Sequence, residues 1–546
     1  VKTIANVLLL IVSAGFVTVA CGVREADAIL ALGDEFAVNT YTSLSQMAPA
    51  VASTGGSFVV VWDSDGQDGS REGVFARRYD RSGTASGAEF QVNTYTSGVQ
   101  YMAEVAAHAD GSFVVVWTSR DAGLGGQDGS GAGCFGQRFD AGGTALGSEF
   151  AVNSYVTGTQ DRADVATAAG GGFLVVWESQ AQDGDGAGVF ARRFGADGSP
   201  LGTEVQVNAY TTGDQARPVV CRTSDDGFIV VWDGNGSDPD GFGVFGHRLS
   251  PAGSPLGADF QINTFTTGSQ SNAAVACATG DGFVVAWESA YQDSPEATTG
   301  VFARRYNNGA IPLTNEFAVN TYTTGAQGMP AVAQADGGGF VIGWQSADQD
   351  GGGAFPDTAV LARAFDDQAN PTGGEFQVNV YTTGLQNDPS LAFVGPAGLV
   401  AAWSSDTSFT PFTQDGSEAG VFARRLVSGS TTTSSTTTTT LPSTTTTIAS
   451  TTTSTTLTTT TTGTTLSPTT TTTLAAGNAC GDANQDSAVT ATDALIALAT
   501  AVGSDSCPAC LCDAAPPNPD ITATDALVIL QAAVGGLSPV CSQTCA

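Results

Sequence analysis

Along most of this chain, apolar residues come in short unbroken runs bounded by glycine and acidic residues, and all seven tryptophans end such a run. The runs are Phe58–Trp62, Phe113–Trp117, Phe173–Trp177, Phe228–Trp232, Phe283–Trp287, Phe340–Trp344 and Leu399–Trp403, with tryptophans 55 to 60 residues apart. In each run both side-chain faces are apolar: Phe58, Val60 and Trp62 point one way, Val59 and Val61 the other. A strand with this pattern is covered on both faces, whereas a half-exposed strand alternates apolar and polar residues. Ahead of each run stands a Phe-x-Val-Asn segment, as at Phe36–Asn39 and Phe90–Asn93, with Val205 replacing Phe in the fourth copy. Seven residues after each Asn comes a Gln (Gln46, Gln100, Gln160, Gln215, Gln270, Gln327, Gln386). After each run follow a Gly-rich acidic stretch and a Val-Phe-Ala-Arg-Arg-Phe-like segment such as Val74–Tyr79.

Each unit therefore predicts four strands: a Val-Ala segment such as Ala50–Ala52, the tryptophan run, the Arg segment and the Phe-x-Val-Asn segment. Gly, Asp and Asn clusters supply the turns between them. A fixed long period signals stacked supersecondary units, and small sheets covered on both faces describe radial blades. The expected fold is an all-β seven-bladed β-propeller over residues 29–426, and the units resemble bacterial β-propeller repeats. The first Phe-x-Val-Asn precedes the first tryptophan run, and the last unit, ending at Val421–Leu426, lacks one. Hence the N-terminal strand is expected to complete the last blade, which removes exposed sheet edges.

The formal charge is −34, with one lysine, Lys2. Arginines concentrate on the Arg segments (Arg77, Arg78, Arg192, Arg193, Arg304, Arg305), and the expectation is that they pair with turn acids such as Asp68, Asp128, Asp183 and Asp415. So acidic a surface repels phosphate backbones and argues against nucleic-acid binding. Lys2, the apolar stretch 4–20 and Ala26-Asp27-Ala28 read as a secretory signal over 1–28. The alternatives are an uncleaved anchor or lipidation at Cys21. No later segment is long and apolar enough to span a membrane, so the expected location is secreted or cell surface. Cys134, Cys221 and Cys277 fall in three different units and read as buried small residues.

Residues 427–477 are dominated by threonine, a composition that cannot bury a core, and read as a disordered linker or O-glycosylated stalk. The tail, 478–546, carries an oxygen-rich loop: Asp482, Asn484 and Asp486 at positions 1, 3 and 5, the Ala488 carbonyl at 7 and Asp493 at 12. That spacing wraps six or more oxygens around one Ca²⁺. A second set follows at Asp513, Asn518, Asp520 and Asp525, and both loops run into Thr-Ala-Thr-Asp-Ala-Leu. This duplicated loop and helix resembles a type I dockerin, a small α-helical domain. The resemblance implies calcium as cofactor and a cohesin-like protein as partner, with Ala491-Thr492 and Ala523-Thr524 at the docking positions. Ser487 stands where the family has Gly, and three prolines (Pro516, Pro517, Pro519) interrupt the second loop. The tail cysteines Cys480, Cys507, Cys510, Cys512, Cys541 and Cys545 read as disulfides, or Cys507, Cys510 and Cys512 as zinc ligands.

Only His108 and His247 occur, and no nucleophile, zinc-protease or phosphate-loop motif is present. A glycosidase needs just two carboxyls, but most acids here recur from unit to unit, and a catalytic pair should break the repeat. Asp240 and Glu296 are non-repeated acids of this kind. One aromatic follows each Asn (Tyr41, Tyr95, Tyr155, Tyr210, Phe265, Tyr322, Tyr381), and with the Gln amides these rings would suit a sugar around one mouth. The first reading is thus an exported binding or scaffolding module for polysaccharide or a surface partner, without catalytic residues. The alternatives are a dockerin-bearing polysaccharide hydrolase or a structural surface protein.

Overall fold

The computed structural model describes residues 33–428, except loop residues 54–55, 122–125, 236–237, 239, 279–281, 294–298, 336–337, 350–356, 396–397, 407–413 and 417. It also describes the strands Ile11–Ser13, Phe16–Thr18 and Ile29–Ala31. The calcium-loop residues Asp482, Asn484, Asp486, Ala488, Asp493, Asp513, Asn518, Asp520 and Asp525 lie outside the described residues, as do the Thr-rich segment and the tail cysteines.

The Trp62 unit shows how each sequence motif becomes a strand. Gln46–Ser53, Ser57–Asp65, Glu72–Asp80 and Phe90–Gln91 form one antiparallel sheet in chain order. The tryptophan run is second, with Trp62 opposite Phe75 of the Arg strand. The fourth strand is only two residues long because Asn93 ends it. Its Oδ1 accepts the Val74 N–H at 2.8 Å, and its Nδ2 donates to the Tyr95 carbonyl at 2.9 Å, turning the chain towards the next unit.

Five such four-stranded sheets are separate. A nine-stranded sheet contains the pattern twice, around Trp344 and Trp403, joined by one parallel bridge, Thr358 to Leu385. The Trp403 part receives its fourth strand from the other end of the chain: Phe36 and Ala37 pair with Ala423 and Phe422. First strands of successive units touch one another, and Leu385–Phe393 touches Gln46–Ser53, so the sheets form a closed ring with their first strands innermost. Each tryptophan, at most 1 % exposed, wedges against the preceding sheet. Trp117 packs on Val59, Val61 and Val74, and Trp62 packs on Val400, Ala402 and Val421, closing the circle. The protein is an all-β propeller.

Two expectations are corrected. Most of the arginines bind backbone carbonyls of neighbouring units rather than the turn acids, though Arg248 does lie 3.7 Å from the turn acid Asp225. Arg77 Nη1 donates to the Val38 carbonyl at 2.9 Å, and its guanidinium lies over the Tyr79 ring. Arg192 likewise reaches Val152, and Arg424 reaches Val378. The turn acids are occupied within the loops: Asp68 accepts the Ser70 N–H, and Asp183 and Asp415 accept Asn208 and Asn39 amides. A planar fork of five donors suits carbonyls that end a strand, which explains the choice. Cys221 and Cys277 are not separate buried thiols; they form a disulfide between the innermost strands of the Trp232 and Trp287 units. Cys134 is buried and free. Among the described residues no helix is long and apolar enough to cross a membrane.

Candidate functional site at the axis of the ring

Most repeated polar residues turn out to hold units together. The Gln amides expected around a mouth are buried and consumed: Gln46 Nε2 donates to the Ser43 carbonyl, and its Oε1 accepts from Asn39. The glutamate before each Phe-x-Val-Asn clamps the preceding loop. Glu89 accepts from Tyr41 N and from Gln67, and Glu204 accepts from Tyr155 N and Gln182. In the Trp232 unit Asp259 takes this place and His247 Nδ1 lies 2.7 Å from it, so His247 is a structural partner. The loop aromatics are half-buried beside their own unit's next loop, with Tyr95 Oη donating to Asp121 and Tyr322 Oη to the Asp348 carbonyl. Tyr210, 39 % exposed, is the most open of them. Asp240 accepts the Gly268 N–H and belongs to a loop, while Glu296 lies outside the described residues.

What varies between units lies on the innermost strands. Two residues after each Gln the backbone turns left-handed, at Ala48, Met102, Arg162, Arg217, Asn272, Met329 and Asp388, with φ between 48° and 53°. Here the register with the second strand slips. Such a bulge re-aims side chains and is common beside functional sites, and for non-glycine residues it stores roughly 1–3 kcal/mol of strain. The bulge N–H is held by the residue that follows tryptophan in the preceding unit. Met102 donates to Asp63, Arg217 to Glu178 and Asn272 to Asp233, all within 2.9 Å, and Ala48 donates to Ser404 at 3.0 Å. The same position carries Thr118, Glu288 and Gln345 in the other units.

This gathers carboxyls near the axis of the Trp62 to Trp287 units. Burial drives Asp63 up to about 8 and Asp233 up to about 7, against the backbone N–H groups that favour their charge. Asp63 is 5 % exposed and Asp233 fully buried, and Oδ1 of each has no hydrogen-bond partner. Arg217 faces Asp233 at 3.3 Å and Arg162 faces Glu178 at 3.7 Å. Tyr101 and Thr118 both donate to Asp161.

Glu104 and Asp164 occupy equivalent positions on neighbouring innermost strands, four residues beyond Gln100 and Gln160. Glu104 is exposed at the axis yet enclosed by protein, so water reaches it while the surroundings still penalise its charge. That enclosure, then Asp164, then Asp63, push its carboxyl well above the usual range. Asp164 is raised less, because the Val165 and Val220 N–H groups, each at 2.7 Å, stabilise its anion. Two interacting carboxyls share their protons, and the two backbone N–H groups on Asp164 favour the charge there over Glu104. Such a pair can deliver a proton and accept one. The signal for it lay in the unit-to-unit differences: Ala50, Val219, Ala274, Ala331 and Ser390 fill the same position elsewhere.

No protein-family model matches the chain, and no curated protein matches it. Solved structures similar to it include a protein of unknown function from Dyadobacter fermentans (10 % identity, TM-score 0.42, 73 % of this chain and 99 % of that one). Others are the polysaccharide lyase Uly1 (9 %, 0.42, 75 % and 95 %) and the α-L-arabinofuranosidase arb93a of Fusarium graminearum (12 %, 0.40, 72 % and 98 %). The identities are too low and the superpositions too loose to carry any site residue across.

Proposed function

We propose that this protein is an exported, seven-bladed, carbohydrate-active propeller that cleaves a polysaccharide at its axis, with Glu104 as general acid and Asp164 as its charged partner. Seven is our count of the blades, taking the nine-stranded sheet as two. The observation that carries the activity is the Glu104–Asp164 pair, whose environments differ and which the repeat does not require. Glu104 donates its proton to the glycosidic oxygen as that bond breaks. Asp164 accepts a proton from the water whose oxygen bonds to the sugar carbon, so the products balance and both carboxyls exchange protonation states. The disulfide supports an oxidising compartment. On its sequence, the tail is proposed to bind Ca²⁺ through its oxygen-rich loops and to tether the propeller to a cohesin-like partner.

A pure binding role is favoured by one feature: Asp164 already accepts two backbone N–H groups, which ties its oxygens to the scaffold. The two readings separate in a reducing-end assay of the full chain on neutral and acidic polysaccharides. Cleavage by the wild type, lowered about 10²–10⁴-fold in Glu104→Gln, is the expected result. Glycan binding without turnover establishes the binding role, and neither binding nor turnover rejects carbohydrate action.

A further inference from the structure

Arg162 and Arg217 stand at equivalent bulges on neighbouring innermost strands, where the other units carry Ala48, Met102, Asn272, Met329 and Asp388, none of them a cation. The bulge does not require arginine: Asp63 accepts the Met102 N–H and Glu288 the Met329 N–H with no arginine at either position. Nor does Arg217 turn its side chain to the acid that holds its backbone. Glu178 accepts the Arg217 N–H at 2.8 Å, while the guanidinium reaches Asp233 at 3.3 Å. The two arginines meet at Glu178, whose other oxygen lies 3.7 Å from Arg162 Nε. At that distance the contact is an ion pair without a hydrogen bond. Among the described residues, therefore, no acceptor takes any of the five guanidinium donors of Arg162, and Arg217 spends only one of its own. Their side chains are 36 % and 41 % exposed, so the remaining donors are open to a ligand. Burial raises the Glu178 carboxyl and lifts that of Asp233 to about 7, so these partners leave part of the positive charge uncompensated at neutral pH. Asp161, next to Arg162, is occupied by Thr118, Tyr101 and the Arg162 N–H.

We infer that Arg162 and Arg217 form a subsite for the carboxylate of a uronic-acid residue, so that the polysaccharide recognised at the axis is a polyuronate. This rests on the carbohydrate reading above and narrows its substrate. A planar guanidinium fork meets a carboxylate in two parallel charge-assisted hydrogen bonds, and Arg162 has both Nη groups unspent among the described residues. Asp164 follows Arg162 by two residues on the same strand, which sets the subsite beside the Glu104–Asp164 pair. A neutral polymer would leave the guanidinium donors to water.

The test is calorimetry of the full-length protein with tetramers of α-1,4-galacturonate and β-1,4-mannuronate, the methyl ester of each, and a κ-carrageenan tetramer, which carries sulfate instead. At least one uronate is expected to bind about tenfold or more tightly than its ester, the scale of a charge-assisted hydrogen-bond pair. Arg162→Gln and Arg217→Gln are each expected to lose about tenfold for that uronate and to leave the ester unchanged. Arg162→Gln removes no hydrogen bond among the described residues, so its fold should persist, as circular dichroism would check. Arg222→Gln, at the far end of the Arg217 strand and paired with Asp226, is expected to leave the affinity unchanged. An equal loss in Arg222→Gln would mean general attraction to positive charge and would overturn the inference. So would an ester that binds as tightly as its acid, a folded Arg162→Gln with full affinity, or tighter binding of the sulfated tetramer; each leaves the carbohydrate reading intact. Binding of neither uronate would overturn it too, and with no glycan bound or cleaved at all, both readings would go.

Discussion

Asp63 shows how one residue can serve two demands. Its Oδ2 holds the strained Met102 bulge at 2.8 Å, yet burial keeps its carboxyl protonated up to about 8 against the ordinary 3.8. The sign follows from linkage. Below about pH 4 the folded and unfolded chains both hold the proton, and nothing is lost. As pH rises towards 8 the unfolded chain releases it while the folded chain retains it, so stability falls across that window and then levels off. Asp63→Asn keeps the carbonyl acceptor and removes the titration. Its melting temperature should match the wild type near pH 4 and exceed it at pH 8, as read by circular dichroism. No advantage at pH 8 would show that the carboxyl ionises freely. Little of this was legible in the sequence, because Asp63 reads as one more acid after an apolar run; only its replacement by Thr118, Gln345 or Ser404 in other units marks the position as free to vary.

At the level of strands, apolar periodicity proved sufficient for order and partnership. The tryptophan run lies between the Val-Ala strand and the Arg strand in every unit, and its two apolar faces are covered by the sheets on either side, as Val59 and Val61 are by the Trp117 unit and Val60 and Trp62 by the Trp403 unit. The bulges were not legible. Ala48, Arg162 and Met329 carry no hint of a left-handed backbone, which favours glycine or asparagine. Tertiary bonding from the neighbouring sheet imposes the conformation, and a local pattern cannot report that. Glu178→Ala should therefore cost about 1–3 kcal/mol, the usual penalty for an unsatisfied buried N–H, here that of Arg217. Glu178→Gln, which retains the acceptor, should cost well under half as much in urea unfolding. Similar losses in the two variants would show that charge, rather than the acceptor, secures the strand.

For the whole molecule, the ring is fastened in two different ways. Between the Trp232 and Trp287 units the bond is covalent, across a sequence separation of 56 residues. Loop-entropy arguments give such a cross-link about 4 kcal/mol of stabilisation. Reduction, or Cys221→Ser with Cys277→Ser, should lower the denaturation midpoint by a corresponding amount without changing the far-ultraviolet spectrum. An unchanged midpoint would show that strand packing alone sets the stability there. Elsewhere, the joint between the Trp403 and Trp62 units relies on Trp62 packing and on a strand borrowed from the start of the chain. Chain-end pairing was predictable from the register of the repeat, since one motif was left over at the front and missing at the back.

That borrowed strand has a bearing on biogenesis. Phe36 and Ala37 are among the earliest described residues to be synthesised, and their partners, Phe422 and Ala423, come almost four hundred residues later. Until then an unsatisfied edge waits at the front of the nascent polypeptide while the other sheets form behind it. Synthesis must pass Ala423 before the circle can shut, so a product truncated ahead of it would keep a sticky end in search of a mate.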